Sequence, residues 1–165
     1  MNKKDLSDRF LDEIKRNLME QEEDDEEDEN ESEETQDENG GSSDFDEMIS
    51  RLLHSQTQVH VFHLGVKGTG SYAAHKALQK YYEGIDGLVD GLVESYQGRY
   101  GLVTNYDSYE MDKFESVEKC ISYFNDLNKI ITEKRDSVKD SYLQNQIDTV
   151  QELLFSTLYK LKFLK

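Results

Sequence analysis

Two histidines, His63 and His75, bracket the stretch HLGVKGTGSYAAH, twelve positions apart with a glycine-rich step between them. Beyond the second, Gln79, Glu83, Asp86, Asp90 and Glu94 recur at three- and four-residue intervals. On a helix, at about 100° of turn per residue, these side chains share with His75 a sector about 100° wide. Imidazole nitrogen with carboxylate oxygen is a ligand set for iron, zinc or manganese, and carboxylates crowded together are costly without a cation between them. Acids on one helix face also make an ordinary solvated surface. This stripe, however, begins on a histidine, contains few lysines and is preceded by a second histidine.

The element that must carry the stripe runs from about Tyr72 to Gln97. Leu78, Tyr81, Tyr82, Ile85, Leu88, Val89 and Leu92 are assigned to its opposite, apolar half. Gly84, Gly87 and Gly91 lie beside the acids; each costs about 1 kcal/mol of helix propensity against alanine, and their small size suits close approach by another helix or subunit. Three further apolar stripes have helical spacing: Met48, Leu52, Val59, Phe62 and Val66; Val117, Ile121, Phe124 and Ile131; and Leu143, Ile147, Val150, Leu154, Leu158 and Leu161. No proline interrupts them. Four such helices in residues 45–165 bury their stripes best as an all-α four-helix bundle. GRYGLVTNYDSYEMD, between the second and third, is long enough for a crossover.

The formal net charge of −17 is concentrated in one segment. Residues 20–38, EQEEDDEEDENESEETQDE, hold fourteen acids and no base, so the remainder of the chain sums to only −3. That segment repels itself, and NGGSSD after it reads as linker, so residues 20–44 are expected to be disordered. Ahead of it, Leu6, Phe10, Ile14 and Leu18 outline a short amphipathic segment over residues 1–19, marginal as a helix by itself. No stretch has the apolar length of a membrane span or a signal-peptide core, and a soluble, cytoplasmic protein is expected. A single cysteine, Cys120, excludes an intrachain disulfide and fits a buried small hydrophobe. A polyanionic segment releases no counterions from a phosphate backbone, so no nucleic-acid binding is expected; gathering cations or contacting a basic protein partner suits its charge.

The segment HLGVKGTGSYAAHKALQKYYEGIDGLVDGLVESYQGRYG resembles the core of the Dps proteins, ferritin-like iron-storing cages of bacteria. The family pattern is a histidine, a V-[KR]-G turn, a second histidine twelve positions on, and acids fifteen and nineteen positions beyond that. His63, then Val66, Lys67 and Gly68, then His75, Asp90 and Glu94 reproduce it without a gap. The last helix, DSYLQNQIDTVQELLFSTLYKLKFL, resembles the family's closing helix more loosely. The resemblance implies a ferritin-like bundle and a homo-oligomer with a dimer as its minimal unit and a cage as its larger form. It also implies an intersubunit ferroxidase site in which His63 and His75 of one copy meet Asp90 and Glu94 of another, with peroxide as oxidant.

This chain departs from the pattern in two places. Gln79 stands where the family commonly has an acid, a neutral and weaker ligand, and Glu83 one turn later could take its place. Leu64 stands where a tryptophan often follows the first histidine, leaving tyrosines such as Tyr81 and Tyr82 for electron transfer. His60 could widen the site, although a surface or hydrogen-bonded role suits it better, and His54 reads as structural. Gly65, Gly68 and Gly70 lack the spacing of a phosphate-binding loop and read as turn formers. Two functions remain open. One is an iron-oxidising, iron-sequestering protein of a bacterial or phage-infected cell; the other is a non-enzymatic structural or assembly module, of a phage for instance, whose acidic extension recruits a partner.

Overall fold

The computed structural model describes residues 40–164. The amphipathic segment expected at 1–19 and residues 20–39 of the disordered linker expected at 20–44 lie outside the described residues, and residues 40–44 of that linker are helical. Four helices follow in order, α1 (Gly40–Gly65), α2 (Ser71–Tyr100), α3 (Val117–Arg135) and α4 (Ser141–Phe163), and no strand occurs among the described residues. α1 packs on α2, α2 on α4, α4 on α3 and α3 on α1, so the bundle closes in a square with α2 and α3 on a diagonal. This is the four-helix bundle that the apolar stripes predict, in the ferritin-like form that the resemblance implies. Phe62, Leu78, Tyr81, Ile85, Phe124, Ile131, Ile147 and Leu154 are among the side chains that fill its core.

Short turns at 66–70 and 136–140 join antiparallel neighbours, but α2 and α3 run parallel, so the connection at 101–116 must return along the bundle. α2 is about 45 Å long, within reach of sixteen extended residues. Such a strap cannot satisfy its own backbone, so side chains of the helices hold it: the Val103 N–H donates to Gln97 Oε1 of α2 (3.1 Å), and α1 presents polar side chains one turn apart. Asn105 Nδ2 donates to Asp46 Oδ2 (3.3 Å), the Asp107 N–H donates to Ser50 Oγ (3.0 Å), and His54 Nε2–H donates to the Glu110 carbonyl (3.2 Å). Gln58 finishes the series, donating to the Asp112 carbonyl (2.8 Å) and accepting from the Asp112 N–H (2.7 Å). Seven residues of strap thus keep pace with twelve of helix, about 18 Å, which only a nearly extended chain can do. At the far end Phe114 lies against Gly65 so closely that a Cβ there would run into the phenylalanine.

α1 begins five residues before the boundary that composition suggests, inside GGSSD. Two contacts hold this end: Phe45, fully buried, stacks on Tyr96 with ring centroids 3.6 Å apart, and Lys134 reaches Asp44 (2.7 Å) and Glu47 (2.9 Å). In the core, Ser55 donates its hydroxyl to the Leu52 carbonyl (2.7 Å), so the Tyr81 hydroxyl 2.9 Å away must be the donor to Ser55 Oγ. Burial pushes the Tyr81 hydroxyl well above the usual tyrosine range. Cys120 is buried and unpaired as expected, its thiol pushed up to about 12 by the same loss of solvation.

Gln58 is fully buried, and truncating it strands two backbone groups of the strap. Gln58→Ala should cost about 2 kcal/mol in urea unfolding, whereas His54→Ala, which removes one exposed hydrogen bond, should cost well under half of that. Equal losses would show that the strap is not held as described.

Candidate metal centre

The turn at 66–70 determines what the two histidines can do. Gly68 and Gly70 take φ of 95° and 76°, a region open to glycine at no steric cost, and the Ser71 N–H closes the turn on the Gly68 carbonyl (3.2 Å). The last turn of α1 is thereby laid against the first turn of α2. His63 and His75 stack with centroids 3.6 Å apart at 28°. Each ring donates to the backbone of the other: His63 Nδ1–H to the His75 carbonyl (3.0 Å), and His75 Nδ1–H to the His63 carbonyl (3.3 Å). The His63 carbonyl is one of the groups that a helix C-terminus leaves without an intrahelical partner, and His75 supplies it.

This reciprocity has a chemical result. A carbonyl only accepts, so both Nδ1 atoms carry hydrogen, and in the neutral rings both Nε2 atoms keep their lone pairs. A hydrogen bond at one ring nitrogen that fixes the tautomer and orients the other is the usual preparation of a metal-binding histidine. His63 is buried, His75 half-buried and His60 exposed. His60 stacks on Tyr82 (4.2 Å, 17°), and Tyr82 also meets His63 edge to face (5.1 Å, 71°).

Tyr82 corrects the sequence reading, which places it on the apolar half of α2. Seven residues are nearly two full turns, so Tyr82 returns to within about 20° of His75, and it joins the histidines. Tyr81 does not; its ring is in the core and its hydroxyl belongs to Ser55. The seven-residue interval alone would have identified Tyr82.

The oxygen candidates lie elsewhere. Gln79 Oε1 accepts from Lys76 (2.8 Å) and Gln79 Nε2 donates to Glu83 (2.7 Å), a surface chain that occupies both groups. Asp90 and Glu94 are exposed on the same face, about 22 and 28 Å along the helix from His75. One copy of the chain therefore brings His63 and His75 together and leaves Asp90 and Glu94 apart from them. Among the described residues no group of three or more His, Cys, Asp or Glu side chains is arranged to hold a metal ion. Of the glycines beside the acids, Gly84 is explained within the chain, since Leu153 of α4 packs over it at 3.4 Å from where a Cβ would be. Gly87 and Gly91 face open space.

No described helix is long and apolar enough to cross a membrane. No solved structure matches the chain. Over 78 residues it is 33% identical to the DNA protection during starvation protein of Helicobacter pylori strain J99, a match that covers 46% of this chain and 54% of that protein. The chain thus spans about half the length of this curated relative, and the likeness supports a distant Dps-like, ferritin-like relationship. A family model described as a family of unknown function, DUF5856, matches residues 63–161, from the first histidine almost to the end of α4. The chain belongs to that family.

Proposed function

We propose that the protein binds ferrous iron between two copies of itself, oxidises it and sequesters the product. The observation that carries this reading is the mutual locking of His63 and His75, which stacks the two rings and commits both Nδ1 atoms to carbonyls, so that each ring keeps its Nε2 lone pair for a metal. Two neutral imidazoles need anionic oxygen to balance Fe²⁺, and Asp90 and Glu94 supply two charges from a second copy. The outer face of α2 suits such a pairing. A two-fold axis near Glu83 sets Lys80 opposite Asp86 and Lys76 opposite Asp90, with Gly87 and Gly91 leaving room for approach. Two ferrous ions give one electron each to one peroxide, whose O–O bond breaks and which takes up two protons to leave two waters. Tyr82, against His60 and His63, is the aromatic ring placed to buffer those electrons. Protection of this kind consumes peroxide and iron without contact with DNA, in keeping with the chain's negative charge.

A second reading, a ferritin-like assembly module without metal chemistry, draws support from Gln79, whose oxygen is committed to Lys76. Metal binding separates the two. Anaerobic titration with ferrous iron should saturate at about one or two ions per chain, peroxide should then oxidise them rapidly, and light scattering should give a dimer or a larger closed assembly. His63→Ala and Asp90→Asn should each abolish uptake with helical content unchanged; uptake that survives both substitutions sinks the assignment.

Mixing tests the division between copies. Chains carrying His63→Ala and chains carrying Asp90→Asn, co-assembled at random, should regain roughly a quarter of the wild-type activity, because half the dimers are mixed and each has one intact site of two. A site built within one copy would regain nothing.

A further inference from the structure

On the α1/α3 side of the bundle, away from the histidine pair, a cleft of about 350 Å³ opens between the strap and α3. Its apolar wall is formed by Phe62, Tyr123, Leu127 and Ile130, and Arg51 lies within it. The Arg51 guanidinium is stacked on the Tyr109 ring, 3.6 Å from its centroid, which fixes its plane. Its Nε is buried and has no hydrogen-bond partner, and no carboxylate among the described residues is within ion-pair distance of it. A guanidinium carries five donors that match the two oxygens of a carboxylate, and a buried N–H of it without an acceptor is costly.

The other charges around the cleft do not satisfy it. Glu115 is paired with Lys119 (4.0 Å) and Asp126 with Lys129 (3.0 Å), and both pairs are well exposed. The charged residues lining the cleft are three basic, Arg51, Lys113 and Lys119, and three acidic, Asp112, Glu115 and Asp126; with Glu115 and Asp126 each paired to a lysine, Arg51 and Lys113 are opposed only by Asp112. His54 directs its Nε2–H to the Glu110 carbonyl and makes no hydrogen bond to Arg51 Nε. Tyr123, most of whose ring is withdrawn from solvent, has Arg51 and Asp112 as its charged neighbours.

We propose that this cleft binds a small organic anion with a flat apolar body, an aromatic carboxylate in its simplest form, the carboxylate bridging Arg51 and Lys113 and the ring lying on Leu127 and Ile130. The volume lies at the lower end of what small-molecule sites occupy. The site is independent of the histidine pair and of iron.

Benzoate is the probe, with benzamide as its neutral isostere and inorganic phosphate as an anion without an apolar body, each followed by calorimetry and by amide shifts in NMR of the full chain. Benzoate should bind saturably, shifting amides of the strap and α3, with benzamide and phosphate each about tenfold weaker or worse. Arg51→Gln should weaken benzoate to a similar degree. Lys113→Gln, at an exposed position that cannot unfold the bundle, should weaken it several-fold. Absence of benzoate binding, equal binding of phosphate or benzamide, or affinity unchanged in the Lys113 variant would each overturn the proposal. Arg51 would then be a residue that only steadies Tyr109 and the strap.

Discussion

A segment of sixteen residues without regular structure, lying along a protein surface, has to find partners for its peptide groups, and here α1 provides those of Asp107, Glu110 and Asp112 and anchors the side chain of Asn105. Asp46, Ser50, His54 and Gln58 follow one another at four-residue intervals and meet the strap at successive positions. This sets the connectivity of the bundle. Because the strap is bound along α1 and not left free, α3 starts beside the end of α1, where Phe62 meets Tyr123, and runs parallel to α2. The helix that carries His63 therefore has two neighbours to satisfy besides α2, and its orientation is fixed from three sides.

The same economy of partners appears at the histidines. A helix end exposes carbonyl groups, and an imidazole near a helix start has a ring N–H to place; the turn at 66–70 lets each solve the other's problem. Neither ring is free to rotate without breaking a hydrogen bond, so the pair is organised before any ligand arrives. The acids of α2 are in the opposite condition, exposed and far along the helix. A rigid nitrogen half and a solvated oxygen half suit a site completed by association, since only the solvated half has to change its surroundings.

Much of this was legible in the sequence. Apolar residues at helical spacing report burial directly: all six stripe residues of α4 are buried, as are Leu78, Tyr81, Ile85, Val89 and Leu92 on α2, whereas on α3 Phe124 and Ile131 are buried with Leu127, which the stripe omits, and Val117 and Ile121 lie at the edge of the core. The interval between His63 and His75 was visible too, although it says nothing of rings that exchange hydrogen bonds with each other's backbone. What escaped has physical reasons. The start of α1 depends on Phe45 stacking on Tyr96 and on Lys134 reaching two acids, all partners remote in sequence, whereas GGSSD argues locally for a linker. The polar series on α1 is spaced as regularly as an apolar stripe, but in isolation it reads as a solvent-facing side; only the strap gives it a use. Gln79 could be read as a weakened ligand, and nothing local announced its tie to Lys76 and Glu83.

Cys120 is the chain's one thiol, enclosed by the bundle and held in its neutral form by the loss of solvation. Oxidants and alkylating reagents attack the thiolate, so the folded chain offers them almost no target. A protein working among peroxide and redox-active iron would thereby keep its own sulfur out of the reaction, free of the irreversible overoxidation that ends in sulfonic acid. The same enclosure makes the residue a clock. Any label that reaches it has waited for the helices to part, and the rate of labelling measures how often they do.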